Sequence, residues 1–419
     1  MPITDDFRAR LFPVLPRITQ HFATPFHIYD EAGIRATGAR LREAFSGTRA
    51  FQEFFAVKAL PNPAILRIMK DMGFGFDCSS ITELILARQA GGRPEDLMFT
   101  SNNTSRHEFE VAEADGGCIL NLDDITLIDK VPTFPDTISF RFNPGAERDG
   151  NAIIGVPAEA KYGLTRAQIP TAYHRAKARG ATRFGLHAML ASNELDYTYM
   201  VTTANMLLEL AADIQRAEGI TFSFINIGGG FGIPYRPEES PLNIDALGRE
   251  VTAALADFER SHGYQPALFM ESGRYMTGPH GVLVTSAINR KDIYRTYVGV
   301  DACMTALMRP GMYGAYHHIE VVGKTADTPT EVVDVVGSLC ENNDKFAIQR
   351  ELPVIDDGDL VVIQDTGAHG HSMGFNYNGK LRPQELLLRD NGEVELIRRA
   401  ETVADYFTTL DYEPVSLRL

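Results

Sequence analysis

The chain has 419 residues, 44% hydrophobic and 23% charged, which is the balance of a soluble globular protein too long for one ordinary core. Its 40 basic and 55 acidic residues leave a formal charge of −15. That argues against nucleic acid or an anionic membrane as a main partner, while leaving room for a local cationic pocket.

Cys78, Cys118, Cys303 and Cys340 lie far apart without CxxC spacing, so neither a disulfide framework nor a cysteine metal site is expected. No apolar run approaches the roughly 20 residues that span a bilayer. The start, Met1-Pro2-Ile3-Thr4-Asp5-Asp6, lacks the basic-then-apolar pattern of a signal peptide. The expected location is the cytoplasm.

In chain order, Phe26-His27-Ile28-Tyr29 reads as a strand ahead of a repeating pattern. From about residue 52 to 274, short apolar runs alternate with helical periodicity. The expected strands are Gln52–Lys58, Gly75–Cys78, Leu97–Thr100, Ile119–Leu122, Thr137–Asn143, Arg183–Leu190, Phe222–Ile227 and Leu268–Glu271. Ile81–Gln89 and Tyr197–Glu218 carry apolar residues three and four apart, as amphipathic helices do. Eight such units fit a (β/α)8 TIM-like barrel, assigned to residues 30–277. Beyond it, Gly281–Ala287, Ile319–Val322, Val332–Val336, Leu360–Ile363 and Val394–Ile397 are short, β-rich and separated by Gly, Asp and Asn turns. They predict a second, all-β domain formed by residues 278–419 together with 1–29.

Lys58 closes the first barrel run, just before Pro61. An ammonium buried there is costly unless paired or deprotonated, and a lysine near neutrality suits a Schiff-base nucleophile. The same placement is compatible with a side chain that snorkels to solvent. The seventh barrel strand runs into Gly228-Gly229-Gly230, where backbone N–H groups can approach an anion closely, or where the chain merely turns tightly. The eighth ends in Glu271-Ser272-Gly273-Arg274. Glu271 is placed to hold a protonated ring nitrogen and Arg274 to bind phosphate, although the two also make a plain ion pair. Active sites of such barrels gather at the C-terminal strand ends. A strand-end lysine, a glycine cradle, a carboxylate and an arginine together are what pyridoxal phosphate requires.

These residues resemble the fold-type III pyridoxal-phosphate decarboxylases, and among them the diaminopimelate decarboxylases. Ala56-Val57-Lys58 is similar to the lysine motif of that family, and Asp77-Cys78-Ser79-Ser80-Ile81-Thr82-Glu83 to its second-strand motif. Lys161-Tyr162-Gly163 resembles its Lys-Phe-Gly element. In the β domain, Arg309-Pro310-Gly311-Met312-Tyr313 stands where the substrate-binding arginine and tyrosine fall. Cys340-Glu341-Asn342-Asn343-Asp344 corresponds to the cysteine–acid motif, and Ser372-Met373 with Asn376-Tyr377-Asn378 to a late signature.

The resemblance implies a barrel plus a β domain of the alanine racemase-like kind, in a homodimer with shared active sites. It implies Lys58 and Cys340 as catalytic residues, the cysteine acting as general acid in the neighbouring subunit. Cofactor contacts fall on Lys58, Asp77, Ser192, Gly228, Gly229, Gly230, Glu271, Gly273, Arg274, His369 and Tyr377. Substrate contacts fall on Arg274, Arg309, Tyr313, Glu341 and Tyr377. The implied reaction is decarboxylation of meso-diaminopimelate to L-lysine, with no metal. Three departures bear on substrate: Met189 replaces the family's ring-stacking histidine, His369 its tyrosine near the phosphate, and Asn342-Asn343 its Ser-Gly. Ornithine, lysine, carboxynorspermidine or a secondary-metabolite amino acid are therefore alternative substrates. A non-catalytic, cofactor-binding regulator is a further alternative, and the cysteine–acid motif fits racemases poorly. His280, His317 and His318 read as structural or surface residues, since no metal-binding spacing accompanies them.

Overall fold

Short apolar runs ended by glycine and asparagine set the strands of this chain. The computed structural model describes residues 3–150 and 155–410, with Glu413 and Leu417 beyond them. Met1 and Pro2 of the amino-terminal reading, and the outermost residues of the 278–419 assignment, lie outside the described residues. Two compact units result: Met1–Ala32 with Tyr235–Pro237 and Pro279–Leu419, and Gly33–Pro234 with Glu238–Gly278.

The first strand, β1 (Phe26–Asp30), belongs to the former unit; the next eight close the barrel of the latter. These are β2 (Phe51–Ala56), β3 (Gly75–Cys78), β4 (Leu97–Phe99), β5 (Ile119–Leu122), β6 (Thr137–Arg141), β7 (Arg183–His187), β8 (Phe222–Asn226) and β9 (Ala267–Met270). All neighbours are parallel, and β9 pairs back onto β2 with Phe51 opposite Leu268. Side chains alternate across each strand. Phe54, Met98 and Phe224 therefore meet inside the barrel, against Phe269. The rings of Phe224 and Phe269 stack at 4.2 Å, and Gly185 leaves the room that Phe224 needs. This plug closes the barrel below its C-terminal mouth. On the other face of β2, Phe51 stacks on Phe45 of the helical layer at 5.2 Å.

The second unit is a nine-stranded sheet. Its strands after β1 are β10 (Gly281–Asp292), β11 (Thr296–Val300), β12 (Ile319–Val321), β13 (Thr330–Val336), β14 (Lys345–Pro353), β15 (Leu360–Ile363), β16 (Gln384–Leu388) and β17 (Val394–Arg398). The path runs β14-β13-β11-β10-β1-β16-β17, with β15 bridging β10 and β12. Strand alternation sends Leu283 and Ala287 of β10 into one apolar core, with Val298, Val335 and Ile363. It sends Val282 and Val284 into another, with Phe7, Leu11, Phe26 and Ile28.

Among the described residues, the imidazoles of His27, His280, His317 and His371 are buried in this sheet unit. His27, on β1, engages the Ala306 carbonyl at 3.1 Å and the Thr366 hydroxyl at 3.2 Å. Burial lowers His27 to about 3, and His280 and His371 to about 4 each. The unfolded chain takes up these protons below about pH 6.5, whereas the folded chain stays neutral, so stability is lost as pH falls from 6.5 towards 4. Each of these three lowered imidazoles contributes about 1.4 kcal/mol per pH unit in that window, so unfolding free energy should drop by about 4 kcal/mol between about pH 7.5 and 5.5. Urea titrations at the two pH values check this, and equal midpoints would mean that the imidazoles are charged in the fold. Among the described residues no helix is long and apolar enough to cross a membrane.

Candidate active site

The C-terminal ends of the barrel strands carry the chemistry. Strand β2 stops at Ala56, two residues short of the expected end, and Val57–Ala59 form a 3-10 turn. Val57 and Ala59 are buried and anchor that turn, while Lys58 between them is exposed. The lysine is thus presented at the mouth rather than sunk in the wall, the solvent-reaching one of the two placements that the sequence left open. Asn62 then caps the next helix by accepting the Ala64 N–H at 3.0 Å.

Asp77 is the last residue but one of β3, buried, with its Oδ1 unpartnered. Burial pushes its carboxyl well up, and the neighbouring Glu271 adds to this while Lys58 opposes it. Glu83, the other acidic position of that motif, serves its own helix instead. Its carboxylate accepts the Ser79 N–H at 2.7 Å while Ser80 accepts the Glu83 N–H, a reciprocal cap.

Glu271 follows β9 and is 7% exposed. Its Oε1 accepts from Asn226 Nδ2 at 2.7 Å, and its Oε2 lies 3.2 Å from His187 Nε2. Burial alone would raise this carboxyl, but His187, Lys58 and Asn226 outweigh it and hold Glu271 below the usual range. Asn121 Nδ2 donates to Thr100 Oγ1 at 3.2 Å and to His187 Nδ1 at 2.8 Å, which leaves the imidazole proton on Nε2, facing the carboxylate. The two neighbouring carboxyls are thereby pushed apart, Glu271 down and Asp77 up. Asn121, His187 and Asn226 all face the barrel interior and all escaped the sequence reading. Their signal is polar residues at the ends of otherwise apolar strands.

The loop Gly228–Gly230 needs glycine at each position. Gly228 and Gly230 have φ of +72° and +89°, and a Cβ at 228, 229 or 230 would run into the carbonyls of Ala188, Glu271 or Ala191. Gly273 brings the β9 turn against the lysine turn, where a Cβ would meet Ala59 Cβ at 2.7 Å. Arg274 opens a four-residue helix and Ser192 follows β7; both are half-buried. Met189 stands over the glycine loop, its sulfur accepting the Gly229 N–H at 3.2 Å. Arg141, ion-paired to buried Asp123 at 3.2 Å and stacked 4.3 Å from the Tyr162 ring, donates to the Met189 carbonyl at 3.1 Å. This gives Tyr162 of Lys161-Tyr162-Gly163 a packing role.

The β unit assembles its own set. Arg309 is 7% exposed, stacks on Tyr235 at 4.7 Å and donates to His317 Nε2 at 2.9 Å. His317 in turn donates to the Gln364 carbonyl at 2.7 Å, so this fully buried imidazole orients the arginine rather than facing the surface. Cys340 and Tyr313 are exposed. The Cys340 N–H is held by Asn378 Oδ1 at 2.6 Å, which places Tyr377 alongside. Asp344 ties down the same turn by accepting the Met304 and Leu339 N–H groups at 2.6 and 2.9 Å. Glu341 accepts the Asn343 N–H at 3.0 Å. Gly311 presses on the Asn343 carbonyl, bringing the Arg309–Tyr313 helix beside this turn. His369 is half-buried, with φ of +56°.

A lysine at a barrel mouth, a glycine cradle and a carboxylate held as an anion fit an aldehyde cofactor bearing a phosphate and a basic ring nitrogen. The family model for the pyridoxal-dependent decarboxylase pyridoxal binding domain matches residues 31–278. The chain is 46% identical to Protein TabA of Pseudomonas amygdali pv. tabaci, over 100% of this chain and 98% of that protein. It is 37% identical to the diaminopimelate decarboxylase of Methanothermobacter thermautotrophicus, over 93% and 92% of the two chains. Among solved structures, diaminopimelate decarboxylase from M. jannaschii in complex with L-lysine superposes with a TM-score of 0.87 at 28% identity, covering 95% and 94%. The chain belongs to the pyridoxal-dependent decarboxylases. It is a carboxy-lyase acting on amino acids, with pyridoxal phosphate as its cofactor.

Proposed function

We propose that this enzyme decarboxylates meso-diaminopimelate to L-lysine, as a homodimer whose active sites combine barrel residues of one subunit with Cys340 and Glu341 of the partner subunit. The observation that carries the substrate assignment is Arg309, a buried guanidinium oriented by His317 beside the Cys340–Glu341 turn. A fixed guanidinium fork suits a distal carboxylate, and Glu341 suits a distal ammonium. The whole-length likeness to diaminopimelate decarboxylases supports the same reading.

Pyridoxal phosphate, when bound, supplies an electron sink for the charge left at Cα as CO2 departs. Lys58 would hold the cofactor through its amine. Glu271 keeps the ring nitrogen protonated, which its anionic state permits. The Gly230 N–H, with Ser192 and Arg274, would hold the phosphate, since the Gly228 N–H goes to Asn226 Oδ1 and the Gly229 N–H to the Met189 sulfur, and Asp77 would line the same barrel mouth. Cys340 of the partner subunit delivers a proton to Cα.

A second reading keeps the chemistry and changes the amino acid. It is favoured by Met189, whose thioether offers neither charge nor proton where the family has an imidazole. His369 and the 46% likeness to a relative whose name states no substrate point the same way. Release of CO2 from meso-diaminopimelate by the holoenzyme, with mass spectrometry of the product, separates the two. Steady formation of lysine supports the first reading, while a loaded but idle enzyme transfers the assignment to another amino acid. With the correct substrate, Glu341→Gln should raise KM by about 10- to 100-fold with little change in kcat, the loss expected of one charge-assisted hydrogen bond. Steady-state kinetics check this, and an unaltered KM removes Glu341 from the substrate contacts.

A further inference from the structure

Glu53 has no part in the residues above, yet it is the most unusual side chain of the barrel wall. Strand alternation puts it on the same face of β2 as Phe51 and Phe55, towards the helices and away from the interior where Phe54 packs. That layer of a (β/α)8 barrel is an apolar one. Glu53 is nevertheless fully buried there. Its Oε1 accepts the backbone N–H of Ser272 at 2.5 Å, and its Oε2 is buried without a hydrogen-bond partner. Ser272 is the residue that directly follows Glu271. The register sets Glu53 opposite Met270, so its carboxyl reaches just past the end of β9 to the turn that carries the ring-nitrogen acid.

We propose that Glu53 is a positioning residue for Glu271: as a neutral carboxylic acid behind the barrel wall, it grips the Ser272 N–H and fixes the turn that aims Glu271 at the cofactor ring. Glu271 is then held twice. Asn226 and His187 clasp its carboxylate from inside the barrel, and Glu53 clasps its backbone from outside. Burial pushes Glu53 well up, and the carboxyls of Glu271 and Asp77 add to that. Lys58 and the His187 imidazole both favour the anion at Glu271. One acid with cationic company is thus the anion, and the acid behind it carries its own proton. A neutral Glu53 also spares Glu271 the repulsion of a second negative charge, which a low-dielectric layer would leave almost unscreened.

This inference rests on the ring-nitrogen role proposed for Glu271, and its test separates the two. Glu53→Gln keeps a neutral acceptor for Ser272, whereas Glu53→Met keeps the bulk and removes it. With the holoenzyme, Glu53→Met should lower kcat by about 10- to 100-fold with a smaller change in KM, the cost of removing a group that steadies a catalytic residue from behind. Glu53→Gln should restore kcat to within about threefold of the native enzyme, with an unshifted pH profile. A native kcat in Glu53→Met overturns the positioning role. A folded Glu53→Gln as impaired as Glu53→Met, or one with a displaced pH profile, overturns the neutral acid. Should Glu53→Met fail to fold, infrared difference spectra of the native protein against Glu53→Gln decide. A protonated-carboxyl band at neutral pH that vanishes in the variant supports the proposal, and its absence overturns it. The infrared result does not depend on Glu271; if instead Glu271→Gln keeps a native kcat, the ring-nitrogen reading is what fails.

Discussion

Alanine at Lys58 should abolish CO2 release and the visible absorption of the bound cofactor while leaving the fold intact. The expectation of an intact fold comes from the turn itself. Val57 and Ala59 supply the buried anchors, and the exposed Lys58 side chain contributes little to packing. Exposed substitutions of this kind cost about 0.5 kcal/mol or less, so the thermal midpoint should scarcely move. Removing a covalent catalyst has a far larger effect, and the turnover should fall by about 10,000-fold or more. Asp77 and Glu83 also lose a cation from their surroundings, so their protonation should become easier, not harder. Spectra and CO2 release measured on Lys58→Ala reconstituted with pyridoxal phosphate test this together. A native absorption band with native turnover would remove Lys58 from the mechanism.

Glutamine at Glu271 should lower kcat by about 100- to 1,000-fold, the loss expected when one preorganised electrostatic partner is removed. It should also cost stability, which an exposed residue would not. Asn226 donates to Oε1, and His187 Nε2 lies 3.2 Å from Oε2. A glutamine amide satisfies one of these donors with its oxygen and sets its NH2 against the other. A buried donor facing a donor costs about 1 to 3 kcal/mol. Glu271→Asp keeps the charge but shortens the reach, so it should recover part of the activity and less of the geometry. Kinetics and thermal unfolding of the two variants decide, and a native kcat in Glu271→Gln would mean that another group protonates the ring.

The barrel was legible because each strand is a short apolar run ended by a polar or glycine-rich turn. The limits of β3, β5 and β15, and of the helices Ile81–Gln89 and Tyr197–Glu218, coincide with those expected from pattern alone. Pattern overreaches where apolar character outlasts the ladder. Val57 continues the run of β2 and Ala188–Leu190 that of β7, yet both stretches are irregular backbone packed against the site. Strands β11, β14 and β16 do not stand out in the sequence. In β14 the exposed residues Ile348, Gln349 and Glu351 blur the two-residue period, and bulges shift its pairing with β13. At the site, the residues that would touch cofactor could be named from motifs. Those that hold them in place could not. Asn121, Asn226, His187 and Glu53 matter because of which way each strand faces, and His317 because it lies behind Arg309. A linear chain does not display that phase until the strands are paired.

The position of β1 carries a consequence for synthesis. This strand leaves the ribosome ahead of the whole barrel, but it lies between β10 and β16, antiparallel to one and parallel to the other. Its partners emerge some 250 and 360 residues later, which at roughly 5–20 residues per second is a wait of tens of seconds. The intervening barrel strands meanwhile have every neighbour they need. During translation the barrel can therefore close while Phe26, Ile28 and Tyr29 stay unsheltered at the nascent end, a segment that chaperones would be expected to cover. The sheet unit, by contrast, cannot be completed until β16 has emerged, and a chain truncated anywhere before β16 leaves β1 without one of its two flanking strands.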